Sequence, residues 1–169
     1  MKQKKHPFII ISNIFIFSAI LLLQYTDNIE LKISSASVLL ILPAVSAFSI
    51  FHSPLVSSLV GLICGIFMDA CAAKVYCFNS IILICICCFV SLTSSSFFNK
   101  NISSATVLSL ITSSFYFVAE WVVFHTKIEN FNDSLIYLLI YALPSAVLSS
   151  IFIFPFYFLY KYFNKISLE

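Results

Sequence analysis

The sequence predicts an all-α, polytopic membrane protein: one domain whose six transmembrane helices form a single bundle. Two observations carry this. Of the 169 residues, 61% are hydrophobic and only 9% are charged, whereas a soluble domain carries about 25% charged residues. A chain so poor in charge lacks the polar groups to cover itself, which leaves lipid as its solvent. The apolar residues also gather into six segments, at 7–25, 33–51, 54–72, 80–98, 104–124 and 134–160. Each is about long enough to cross a hydrocarbon core of roughly 30 Å, and none shows the strict alternation of a membrane β-barrel strand.

The first segment follows Lys2, Lys4 and Lys5 and so has the outline of a secretory signal. Its apolar run continues to about Tyr25, long for a signal, and no small-residue cleavage site follows. It reads as an uncleaved first transmembrane helix. A polar loop with Asp27, Asn28, Glu30 and Lys32 leads to the second segment, which contains Pro43. His52 and Ser53 make a tight turn before Pro54 opens the third. Short polar islands at 74–79, 99–103 and 125–133 separate the remaining segments. The last is long enough to tilt, or to break at Pro144 or Pro155.

Lysine placement sets the orientation. With the N-terminus inside, the inner side holds Lys2, Lys4, Lys5, Lys100, Lys161 and Lys165, and the outer side holds Lys32, Lys74 and Lys127. Both termini are therefore expected in the cytoplasm, with the chain in a bacterial cell membrane and the lipid bilayer as its first partner. The basic N-terminal cluster is short and has no interleaved aromatic residues. It reads as a topology anchor, and no nucleic-acid partner is expected.

Enzymatic chemistry finds no foothold in the pattern. The cysteines Cys64, Cys71, Cys77, Cys85, Cys87 and Cys88 lie in or beside two apolar segments. They have no histidine nearby, and on a helix Cys87 points away from Cys85 and Cys88, so they read as small apolar residues, and no metal site or cofactor is expected. Nucleophile elbows, SxxK, phosphate-binding loops, GxGxxG and HExxH are all missing, and no catalytic residue is assigned. His52 and His125 fall at opposite membrane faces and read as ordinary loop residues.

Two acidic residues, Asp69 and Glu120, lie within spans, and an ionisable group there is a functional candidate by default. The chain has two glycines, Gly61 and Gly65. Steps of four stay on one helical face, so Ser57, Gly61, Gly65 and Asp69 form one stripe, small at every turn until the carboxylate. Such a stripe admits another helix at close range, and this face is the expected docking surface for a partner span. The fifth segment carries Ser109, Thr112, Ser113, Tyr116 and Glu120 at helical spacing. Asp69 and Glu120 fall at similar depth, so Asp69, Tyr116 and Glu120 are expected to form an intramembrane polar cluster. Structural alternatives stay open: Asp69 holding the turn that follows it, the glycine stripe packing within the chain, and Glu120 beside Trp121 as an interfacial anchor.

The stretch from Pro43 to about His125 resembles the family of the rod shape-determining protein MreD. It reads Pro43-Ala-Val-Ser-Ala-Phe-Ser-Ile-Phe-His-Ser-Pro-Leu-Val, then the Gly61, Gly65, Asp69 stripe, then Val75-Tyr-Cys-Phe-Asn79. Length, six-span layout and cytoplasmic termini agree as well. The family often has glycine in the turn before the fourth span, where this chain has Cys77. The resemblance covers about half of the chain and implies a non-enzymatic scaffold of the elongasome, the cell-shape and peptidoglycan-synthesis complex. The implied partners are MreC-like and MreB-like proteins and the membrane peptidoglycan polymerase and transpeptidase. The alternative is the substrate-binding membrane subunit of an energy-coupling factor vitamin transporter, similar in size and span number. In that reading Asp69, Glu120, Tyr116 and Trp121 line an outer pocket. Against it, Ser12, Ile16 and Ile20 do not supply the AxxxA docking pattern of such subunits.

Overall fold

A computed structural model describes residues 36–72, 77–96, 101–124 and 136–166, together with Phe17, Ile20, Gln24, Lys32 and Ile33. Among the described residues the structure is helical except for a minimal antiparallel pair, β1 (Lys32–Ile33) and β2 (Ala36–Ser37), with Lys32 opposite Ser37. Helices α1 (Ile41–Phe51), α2 (Pro54–Ala72), α3 (Phe78–Ser96) and α4 (Ile102–Phe124) follow. A π-helical turn (Leu138–Ala142) then runs into α5 (Leu143–Ile151) and α6 (Ile153–Ile166). Among the described residues four helical stretches are long and apolar enough to cross a membrane: Pro54–Cys71, Phe78–Ser95, Ile102–Phe124 and Leu138–Tyr162.

The expected third, fourth, fifth and sixth spans correspond to these four stretches, with ends displaced by a few residues. Most of the expected first span, 7–25, and of the loops at 26–32, 73–76, 97–100 and 125–135 lies outside the described residues. Phe17, Ile20 and Gln24 of the first span are helical. They recur at steps of three and four, and Phe17 and Ile20 join the buried core.

The second segment departs from expectation. Its helix begins at Ile41 rather than near residue 33, because β1, β2 and the residues up to Leu40 use the chain in non-helical form. Pro43 explains the start. Proline lacks an N–H and its ring clashes with the preceding turn, so it is tolerated only in a first turn, and here it is the third residue of α1. The 11 residues of α1 rise about 16 Å, roughly half of a 30 Å hydrocarbon core. What it lacks in length it makes up in position. Ile41 through Ile50 are all buried, and α1 packs against α2, α3, α4, α5 and α6. It is the axis of the bundle, and the longer helices are its wall.

Polar side chains close the exposed ends of this axis. The N–H of Ile41 donates to Oε1 of Gln24 at 3.3 Å, and the N–H of Leu39 donates to Oγ of Ser149 at 3.1 Å. Helix starts carry bare N–H groups, and a bare N–H in an apolar interior costs a few kcal/mol. At the other end His52 donates from Nδ1 to the Phe48 carbonyl at 2.9 Å and stacks on the Phe48 ring. Midway, Thr112 gives its proton to the carbonyls of Leu108 and Ser109, so Ser46 is the donor in the 3.3 Å pair Ser46–Thr112.

Of the two late prolines expected as possible breaks, Pro144 is passed within a continuous helix, and the break falls three residues before Pro155. The π turn ends with Leu143 N–H bonded to the Leu138 carbonyl, one residue before Pro144, so the helix passes the missing donor by widening. At Phe152 the helix breaks (ψ 0°), its N–H reaching Ser149 and Ser150, and Pro155 falls in the first turn of α6. Apolar residues on the outer faces, such as Leu55, Leu59 and Ile63 of α2 and Val107, Ile111 and Phe115 of α4, stay exposed, as lipid-facing stripes do.

Candidate functional site

The polar site expected around Asp69 exists, with a different membership. Helices α2 and α3 form an antiparallel hairpin, and the turn between them returns the chain past Asp69. Cys77 sits at φ 65° in the left-handed region, and its carbonyl accepts the N–H of Ile81 at 3.0 Å, which makes it the N-cap of α3. An N-cap side chain ordinarily accepts from the second and third N–H groups of the helix. The Cys77 side chain is exposed. Asp69 does the capping instead, from the preceding helix: Oδ1 accepts Asn79 N–H at 3.0 Å, and Oδ2 accepts Ser80 N–H at 3.0 Å and Ser80 Oγ–H at 2.6 Å. A carboxylate at a helix N-terminus also complements the helix dipole.

The glycines make this reach possible. A Cβ added at Gly65 would fall on the Ser80 backbone, 2.7 Å from its N and nearer still to its Cα. At Gly61 it would lie 2.5 Å from Cys87 Sγ and 2.8 Å from the Leu83 carbonyl oxygen. The stripe thus brings α2 and α3 to backbone contact, and one turn further Asp69 meets the start of α3. This corrects the docking expectation. The face formed by Ser57, Gly61, Gly65 and Asp69 is filled by α3 of the same chain: Ser57, Gly61 and Gly65 are buried, and Asp69 is half-buried. It has no room for a foreign helix.

Asp69 and Tyr116 of the expected cluster are joined through a residue the sequence reading did not assign to it. The buried Tyr116 hydroxyl donates to Oδ1 of Asn79 at 2.6 Å, and Asn79 in turn gives its backbone N–H to Asp69. A continuous polar chain, Tyr116–Asn79–Asp69–Ser80, therefore runs from α4 across the start of α3 to the end of α2. Glu120 lies one turn beyond Tyr116 on α4, half-buried. Both oxygens of Asp69 are directed to α3. Asn79 and Ser80 are the members missed. Their signal was a polar pair opening an apolar run, the usual mark of a helix start, ten residues after an acid that the hairpin returns them to.

The six thiols are free, Cys64 and Cys87 buried and Cys71, Cys77 and Cys85 exposed. Among the described residues no three of His, Cys, Asp and Glu converge to hold a metal ion. The arrangement around Asp69 is a structural clasp: it fixes the register of two helices, and its donors and acceptors are directed at one another. No family model, curated protein or solved structure matches the chain.

Proposed function

We propose that the chain is a non-enzymatic membrane scaffold of the bacterial cell-elongation complex, resembling MreD. One observation carries the reading. The residue at which that family often has glycine, Cys77 here, holds φ 65°, a conformation glycine adopts freely and other residues rarely. The departure from the family pattern thus falls on a position whose backbone calls for the family residue. Around it, Gly61, Gly65, Asp69 and Asn79, all quoted for the resemblance, act together in one clasp. The motif behaves as a structural unit, as a scaffold motif should.

In this reading the chain crosses the membrane six times. Residues 7–25 supply the first crossing and 33–51 the second, with α1 forming the helical part of that path. Both termini lie in the cytoplasm of a bacterial cell. MreC-like and MreB-like proteins and the peptidoglycan polymerase and transpeptidase are its partners, docking on surfaces other than the glycine stripe. The vitamin-transporter alternative needs Asp69 and Tyr116 to line an outer pocket, and the engagement of both side chains with α3 favours the scaffold.

The test is purification of the tagged chain from its native membrane in mild detergent, with mass spectrometry of what accompanies it. Co-purification of an MreC-like protein and cell-wall synthesis enzymes supports the proposal. Recovery of transporter ATPase subunits or a bound vitamin overturns it.

A further inference from the structure

The α2–α3 hairpin is tied to the rest of the bundle at its two ends by contacts of unlike kind. Near the His52 turn, Ser91 Oγ donates to the His52 carbonyl at 2.6 Å and Ser94 Oγ to the Ile50 carbonyl at 3.3 Å. Both acceptors are main-chain groups at the end of the buried axis α1, so this end has little freedom. At the opposite end the tie to α4 is the side-chain bond from Tyr116 to Asn79, flanked by the Phe78 ring against Tyr116 and Phe124. Helices α3 and α4, although consecutive in the chain, approach each other at few places. Within the hairpin the opposite holds: Gly61 and Gly65 bring backbone onto backbone, and Asp69 fastens the start of α3. The hairpin is internally rigid, firmly anchored at one end and held at the other by a polar side-chain pair.

We infer that the Tyr116–Asn79 hydrogen bond is a latch whose release lets the hairpin swing as one body away from α4 at the Asp69 end, about a pivot at Ser91 and His52. The latch belongs to the isolated chain. Only its use, in passing the engagement of a partner at the outer face across the membrane, rests on the scaffold reading. A partner would release it by offering its own hydrogen-bonding group to the Asn79 amide.

The buried thiols report on this motion. Cys64 and Cys87 lie in the core on the inner side of the hairpin, while Cys71 and Cys77, exposed near its polar end, serve as internal controls. The full chain, purified in mild detergent, is treated with N-ethylmaleimide, and the labelling rate of each thiol is followed by mass spectrometry. Tyr116→Phe should speed Cys64 labelling about fivefold, the effect of one net hydrogen bond, with the exposed thiols unchanged. Asn79→Ala should do the same, and the double variant should label no faster than the faster single, since both remove one bond. Unchanged Cys64 rates in both singles, multiplying effects in the double, or equal acceleration of all thiols would each overturn the latch. Because no partner is present, failure here is separable from failure of the co-purification.

Discussion

Gly65→Ala is the sharpest perturbation of the hairpin, because two principles give it opposite signs. In an unobstructed helix interior, replacing glycine by alanine stabilises by about 1 kcal/mol through backbone entropy. At Gly65 the new methyl would meet the N and Cα of Ser80, both under 3.0 Å. These are backbone atoms that no rotamer change can move aside. Bringing them to ordinary contact at 3.4 Å requires α2 and α3 to separate by about 1 Å, and overpacking of this kind costs about 1–3 kcal/mol. The separation also stretches the bonds from Asn79 and Ser80 to Asp69, now 3.0 Å, beyond hydrogen-bond range. Losing that capping adds about 1–2 kcal/mol. The net expectation is a destabilisation of about 1–4 kcal/mol. Reversible unfolding in mixed dodecylmaltoside and dodecylsulfate micelles, followed by circular dichroism, measures it. A Gly65→Ala variant as stable as the parent, or more stable, would refute the close approach and with it the reason for the glycine stripe.

Two further variants probe the same turn. Asp69→Asn keeps one side-chain oxygen and loses the charge, so it should destabilise by about 1 kcal/mol, and Asp69→Ala, which bares two N–H groups, by about 2–3 kcal/mol in the same assay; equal effects would mean that the carboxylate holds nothing. Cys77→Gly should stabilise by about 1 kcal/mol, because it relieves a left-handed backbone at a non-glycine residue. A loss of stability there would show that the Cys77 side chain has a packing role.

Hydropathy made the wall of the bundle legible and left its axis half hidden. Segments 54–72, 80–98 and 104–124 fall within two residues of α2, α3 and α4, since a helix facing lipid must be apolar for its whole length. The second segment is equally apolar, but it faces protein, and a run buried in protein need not be helical throughout. Pro43 marked the true start, and hydropathy does not register it. The stripe was visible as spacing, whereas its occupant was not: small residues at steps of four announce a close neighbour without saying which chain provides it. Asn79 was read as the last residue of a polar island and Ser80 as the first of a span, and only the returning hairpin places them on Asp69. Tyr116 and Asp69 were expected in one cluster, and the link between them runs through a residue of a third helix.

The closure of α1 also bears on how the chain is made. The N–H of Leu39 finds its acceptor in Ser149, 110 residues later. A ribosome has therefore released most of the chain into the membrane before the start of the central helix can be fully satisfied. Until the last helix arrives, the Leu39 N–H lacks the acceptor it has in the finished bundle, and lipid tails supply none. The short helix that organises the finished bundle is thus among the last parts to settle, and a chain arrested before Ser149 would present its unfinished axis to quality-control proteases.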